Sequence, residues 1–308
     1  MMKKLRPLPE NGTIGIMAPS SPVNPIKMRK GILYLENRGY HVITKPSCEA
    51  RDNYLAGSAE DRASELMDLI RDPSVDAIFF ARGGFGSSAM LPHLDFETIA
   101  SAGKMMVGYS DITALQWAIY AKTGLPSLST GMPATDFSSD PVHPVFEQTF
   151  WKFFETGIID YSLDVPSNRN SGTIKGISLP GTLSVACKLA GSQYFPDLRN
   201  SIPVLEDVGE PRHKIEGYLW QAKLADWFLH ANAIVFGSFT PPEEETFDDI
   251  PSMNKILDRL LKDNDLPIVK EVPYGHDDHK IPFPLGVEIS IAFGDKTHIS
   301  STETIFDF

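Results

Sequence analysis

The chain has 308 residues, of which 42% are hydrophobic and 22% charged, the balance of a globular protein of about two domains. A net charge of −12 leaves little basic surface to displace counterions from a polyphosphate, so no nucleic-acid partner is expected. The two cysteines, Cys48 and Cys187, stand in no motif, and no apolar run reaches the roughly 18 residues of a membrane span, so neither a disulfide framework nor a membrane partner is expected.

The opening MMKKLRPLPENG is positively charged, but only a short strand with glycine and proline follows it, not the apolar core of a leader. A cytoplasmic location is expected. Residues 12–19 read as a first buried strand. Asn24 is a helix N-cap and Pro25 a first helical position, with Gly39 as the stop. A strand follows over 41–45, and Ser58-x-x-Asp61 has the form of a capping box ahead of the apolar face of ELMDLIRD. Then come DAIFFAR as a strand, a glycine-rich turn, KMMVGY as a strand, DITALQWAIYAKTG as a helix and PSLST as a strand. This βαβα rhythm predicts a mostly parallel sheet with helices on both faces. The rhythm breaks over 154–173, where a polar, turn-rich stretch reads as a linker. A second set of elements follows: strands in TIKGISL, SIPVLEDV, NAIVFGSF and PIVKEVPYGH, with helices over 182–190, 213–228 and 253–262. The end, GVEISIAFGDKTHISS, alternates and turns at Gly294-Asp295, as an antiparallel hairpin does.

Four stretches could carry chemistry. In MMVGYSDITAL, Ser110 stands between a strand and a helix. Ligands of open α/β sheets sit at such strand ends, where the backbone amide of Asp111 could face an oxyanion. The pattern is not the G-x-S-x-G elbow, and serine is also a favoured N-cap. The turn ARGGFGSS, residues 81–88, lacks the Lys-Ser/Thr of a phosphate loop and the G-x-G-x-x-G of dinucleotide folds. It is either a plain tight turn or a second source of oxyanion amides, from Gly84. In IPVLEDVGE, alternation lets only one of Glu206 and Asp207 face a cleft, where it could orient a histidine or simply cap a helix. In VPYGHDDHKIPFPLG, His276 is a general-base candidate, while His276-x-x-His279 with Asp277 and Asp278 matches no standard zinc spacing. One nucleophile, one acid and one base then lie at strand ends in the order Ser110, Glu206, His276.

Taken together, GIMAPSSP, ARGGFGSSAMLPHLD, MMVGYSDITAL, VLEDVGE followed by LWQAKLA, IVFGSFT and YGHDDHKIPFPLG resemble the LD-carboxypeptidase family of serine peptidases over nearly the whole chain. The resemblance implies an α/β fold, with a flavodoxin-like N-terminal domain over 1–160, a linker over 161–172 and a smaller mixed α/β C-terminal domain of swivelling type over 173–308. It implies a Ser110–Glu206–His276 triad, oxyanion amides at Asp111 and in the Gly83–Gly84 turn, and a homodimer. The implied reaction is hydrolysis of the bond between lysine or diaminopimelate, at its L-centre, and terminal D-alanine in a muropeptide, with no metal or organic cofactor. The substrate carboxylate needs a cation, for which Arg82 is the candidate, beside Gly83. One departure is visible: Pro180-Gly181-Thr182-Leu183 stands where such proteins carry Gly-Gly-Asn-Leu, which bears on substrate preference. A self-immunity hydrolase of peptide–nucleotide antibiotics belongs to the same family, and would need an aromatic residue to stack on the base. The linker offers only Tyr161. A non-catalytic binding protein on the same fold is the remaining alternative.

Overall fold

The computed structural model describes residues 3–243, 250–262 and 265–308. The first half alternates strands and helices: β1 (Thr13–Met17), α1 (Pro25–Asn37), β2 (His41–Thr44), α2 (Ala59–Arg71), β3 (Ala77–Phe80), α3 (Phe96–Ala102), β4 (Met105–Val107), α4 (Thr113–Thr123), β5 (Ser127–Ser129) and α5 (Pro144–Thr156). Helix starts follow the local chemistry. The Asn24 side chain accepts from the Ile26 and Lys27 amides, and Ser58 accepts from the Asp61 amide.

The second half holds β6 (Asp160–Leu163), β7 (Gly172–Thr182), α6 (Leu183–Leu189), β8 (Ser201–Val208), α7 (Arg212–Leu224), α8 (Trp227–His230), β9 (Ile234–Thr240), α9 (Met253–Leu261), β10 (Ile268–Val269), β11 (Phe283–Leu285), β12 (Glu288–Phe293) and β13 (Thr297–Ser301). The single helix expected over 213–228 is two. Asp226 has φ 59°, and that left-handed residue ends the run. The break turns Trp227 inward, where its ring meets Phe195 at 4.8 Å and Trp117 at 6.3 Å. The strand expected across 267–276 is only two residues long, because Glu271 has φ 59° and Pro273 has no amide to pair.

Two sheets organise the molecule. The six-stranded sheet runs β11-β5-β4-β3-β1-β2, parallel except for β11. Its strand order 2-1-3-4-5 is that of flavodoxin-like folds. The seven-stranded sheet runs β10-β9-β8-β7-β12-β13-β6, with a parallel half and an antiparallel half. Two segments tie the halves together. β6, inside the stretch read as a linker, is the edge of the second sheet, and β11 pairs with β5 at the edge of the first. Direct bonds add to this, among them the Trp117 indole donating to the Pro180 carbonyl at 2.8 Å and the Thr182 amide donating to Thr113 Oγ1 at 3.0 Å. Among the described residues no helix is long and apolar enough to cross a membrane.

Candidate active site

The carboxyl ends of β4 and β8 meet over one cavity of about 350 Å³. β4 ends in Gly108, and the chain then turns sharply. Ser110 has φ +66°, a left-handed conformation that costs a serine about 1–3 kcal/mol, and it opens a short 3₁₀ turn before α4. The alternative that Ser110 is a helix N-cap does not hold: the cap positions of the 3₁₀ turn and of α4 are Tyr109 and Ile112, and neither makes a side-chain capping bond. Ser110 lines the cavity. Among the described residues no hydrogen bond reaches its hydroxyl.

The turn is fixed from below. The buried Asp111 carboxylate accepts from Ser20 Oγ at 2.7 Å and from the Ser87 amide at 2.8 Å, while the Asp111 carbonyl accepts from Ser87 Oγ at 2.6 Å. Arg62, almost wholly buried, donates to the carbonyls of Pro19 and Gly86. Burial lowers its pKa, and the nearby Asp111 charge opposes that shift. Three loops, after β1, β3 and β4, therefore share one polar network. The glycines are steric requirements. A Cβ on Gly83 would stand 2.6 Å from Ser110 Cβ, and one on Gly84, at φ +123°, would stand 2.3 Å from Ser21 Oγ. Arg82 lines the same cavity, its guanidinium donating to the carbonyls of Gly83 at 3.1 Å and Pro22 at 3.2 Å.

The candidate acid and base, Glu206 and His276, come from the half of the chain that builds the second sheet. A bulge between β8 and β9 shifts the register between Leu205 and Asp207. There Gly237 lets the next loop approach: the Ser238 amide donates to the Tyr274 carbonyl at 2.9 Å, and a Cβ on Gly237 would meet that carbonyl oxygen at 2.1 Å. Gly275, at φ +139°, then brings His276 over Glu206. His276 Nδ1 lies 2.7 Å from Glu206 Oε2. A carboxylate only accepts, so this contact puts a proton on Nδ1, and in a neutral imidazole with that tautomer Nε2 is the acceptor. Glu206 is fully buried, and Thr182 Oγ1 donates to its other oxygen at 2.6 Å. His276 lines the cavity, with its ring 4.9 Å from that of Tyr109, the residue preceding Ser110.

Asp207 lines the same cavity as His276, and its carboxylate receives the Ser184 amide at 2.7 Å and the Val208 amide at 2.9 Å. Burial, reinforced by the Glu206 charge, pushes its carboxyl up to about 6 against those donors. A raised carboxyl pKa means that the folded protein holds this proton more tightly than the unfolded chain. The contribution is therefore fully present below pH 4 and is lost as pH rises through 6, by about 3 kcal/mol. Urea unfolding of the wild type and of Asp207→Asn across pH 4–7 is expected to show their stability difference changing by about that amount. A constant difference would contradict the assignment.

The metal alternative separates in space. His279 stacks on His143, ring centroids 5.3 Å apart, and opens with Asp277 on another cavity, of about 500 Å³. Among the described residues no group of three or more His, Cys, Asp or Glu could hold a metal ion. Both thiols are buried and pushed up to about 12, so neither supplies a thiolate nucleophile at neutral pH. The residues that sequence reasoning missed are supporting ones: Ser20, Arg62 and Thr182, with Tyr109 against the histidine ring and Lys280 against Tyr109. Only Thr182 carried a signal, as part of the departure in the 180–183 stretch.

The model of the LD-carboxypeptidase N-terminal domain matches residues 14–130, and that of the C-terminal domain matches residues 175–291. A "probable murein peptide carboxypeptidase" of Bacillus subtilis (strain 168) is 28% identical over 96% of this chain and 93% of its own. The microcin C7 self-immunity protein MccF of Escherichia coli is also 28% identical, over 96% of this chain and 95% of its own. The crystal structure of muramoyltetrapeptide carboxypeptidase from Oxalobacter formigenes superposes with a TM-score of 0.87 at 25% identity, covering 95% of this chain and 99% of that one. With both domain models matched in order along one chain, this protein belongs to the LD-carboxypeptidase family and is a serine-type carboxypeptidase.

Proposed function

We propose that the protein hydrolyses the bond between the L-centre of lysine or diaminopimelate and a terminal D-alanine in cytoplasmic muropeptides, as part of peptidoglycan recycling. The observation that carries the reading is the 2.7 Å contact between buried Glu206 and half-buried His276, with His276 and Ser110 lining one cavity. His276 Nε2 takes the Ser110 proton as Oγ attacks the carbonyl carbon. The backbone amides of Asp111 and Gly84 receive the oxyanion, and Glu206 stabilises the imidazolium. The imidazolium then protonates the leaving amine and D-alanine departs. Water, deprotonated by His276, hydrolyses the acyl-enzyme ester. Arg82 lines the cavity, and its guanidinium is suited to the substrate carboxylate. The nucleophile belongs to the 1–160 half, and the acid and base to the 173–308 half. Dimerisation enters on family likeness alone.

The likeness to the microcin C7 self-immunity protein favours a second reading, cleavage of a peptide–nucleotide. Chromatography of products from a muramoyl tetrapeptide and from an aminoacyl sulfamoyl nucleoside, each incubated with chelator-treated enzyme, separates the two. Release of D-alanine from the tetrapeptide is expected, and turnover of the nucleotide conjugate alone would assign the protein to the second activity. Activity that returned only with added zinc would overturn the serine mechanism.

A further inference from the structure

Against the ring of Tyr109, which also meets that of His276, lies a buried lysine that the proposed mechanism does not use. Lys280 is 3% exposed, and its ammonium donates to Asp136 Oδ1 at 2.6 Å and to the Tyr109 hydroxyl at 3.1 Å. It also sits 4.4 Å from the centre of the Tyr109 ring. Asp136 is held in turn by the Met132 amide at 2.8 Å and by Thr135 Oγ1 at 2.6 Å. Burial, with Asp136 beside it, pushes the Tyr109 phenol well above its ordinary range, so the ring stays neutral and its oxygen can accept from the ammonium.

The connectivity gives this pair its meaning. Tyr109 is covalently next to Ser110, whose backbone is strained, and Lys280 closes the loop that carries His276. The base of that loop is pinned by the Ile281 amide donating to the Pro273 carbonyl at 2.7 Å. One buried charge pair thus holds the nucleophile turn and the base loop against each other, from opposite halves of the chain. A buried pair is a poor source of net stability but a good source of fixed geometry. We propose that Lys280, anchored by Asp136, is a positioning residue that sets the approach of His276 to Ser110 through the Tyr109 ring. This rests on the reading of Ser110 and His276 given above.

A fluorophosphonate, which reports the reactivity of the serine without needing the natural substrate, tests it. The variant Lys280→Met with Asp136→Asn removes both charges, so no unpaired charge is left buried. With thermal unfolding confirming a folded protein, the maximal rate of labelling at Ser110 is expected to fall about 10²-fold, with the half-saturating concentration unchanged. If that double variant does not fold, Tyr109→Phe decides: it keeps the ring, loses the bond to Lys280, and is expected to label roughly tenfold more slowly. A folded variant labelled at the wild-type rate would overturn the proposal while leaving the triad standing. Wild-type protein that is not labelled at Ser110 would overturn the triad, and the proposal with it.

Discussion

Ser110→Ala is expected to fold like the wild type and to lose hydrolysis by a factor on the order of 10⁶. The stability half of this expectation follows from the turn. Alanine meets the same strain as serine at φ +66°, and among the described residues no hydrogen bond to the hydroxyl is lost. A serine acting as a helix cap would behave differently, with about 1 kcal/mol of stability lost and turnover kept. Initial rates of D-alanine release, paired with urea unfolding, tell the two apart. Substantial residual turnover in a folded variant would remove Ser110 from the chemistry.

Glu206→Gln is expected to cost about 10⁴ in kcat. In the proposed triad the carboxylate holds the proton on His276 Nδ1 and stabilises the imidazolium that forms when Ser110 is deprotonated. Glutamine fails in either orientation. Its amide NH₂ turned toward Nδ1 selects the wrong tautomer, and its carbonyl turned that way keeps the tautomer but supplies no charge. The fold should survive, because the Thr182 hydroxyl, 2.6 Å from Glu206 Oε1, can donate or accept. The comparison of kcat with that of the wild type, at a pH where both are folded, checks this. Near-wild-type kcat would reduce Glu206 to a structural role.

Much of this site is legible in the sequence because its chemistry is local. GYSD, VLED and YGHDD each lie at the end of an apolar run, so strand ends and candidate groups are read from the same few residues. Helix starts at Asn24–Pro25 and Ser58 are equally local, since a cap bonds amides two or three residues away. What is not legible depends on distance along the chain. Phe283–Leu285 gives no strand signal, with Pro284 inside it and Pro282 before it. Such a strand is tolerated because it lies at a sheet edge, and only the tertiary structure supplies its partner β5. The break at Asp226 is driven by burial of Trp227 against Trp117 and Phe195, residues remote in sequence. Lys280 meets Tyr109 and Asp136 across 171 and 144 residues, so no window of sequence contains the clamp. The same holds for Thr182, whose bond to Glu206 explains a residue that family likeness marks only as a departure.

The proposed triad requires Ser110 and His276 to react across the interface between the two halves, while among the described residues no hydrogen bond reaches the Ser110 hydroxyl. Catalytic hydrogen bonds are often long without substrate and tighten in the complex. The most direct test is a crystal structure with a non-hydrolysable tetrapeptide analogue bound. The expected result is Ser110 Oγ about 2.6–3.2 Å from His276 Nε2, with the analogue's carbonyl oxygen facing the amides of Asp111 and Gly84. An analogue seated in the cavity while those two atoms stay beyond hydrogen-bond reach would contradict the triad.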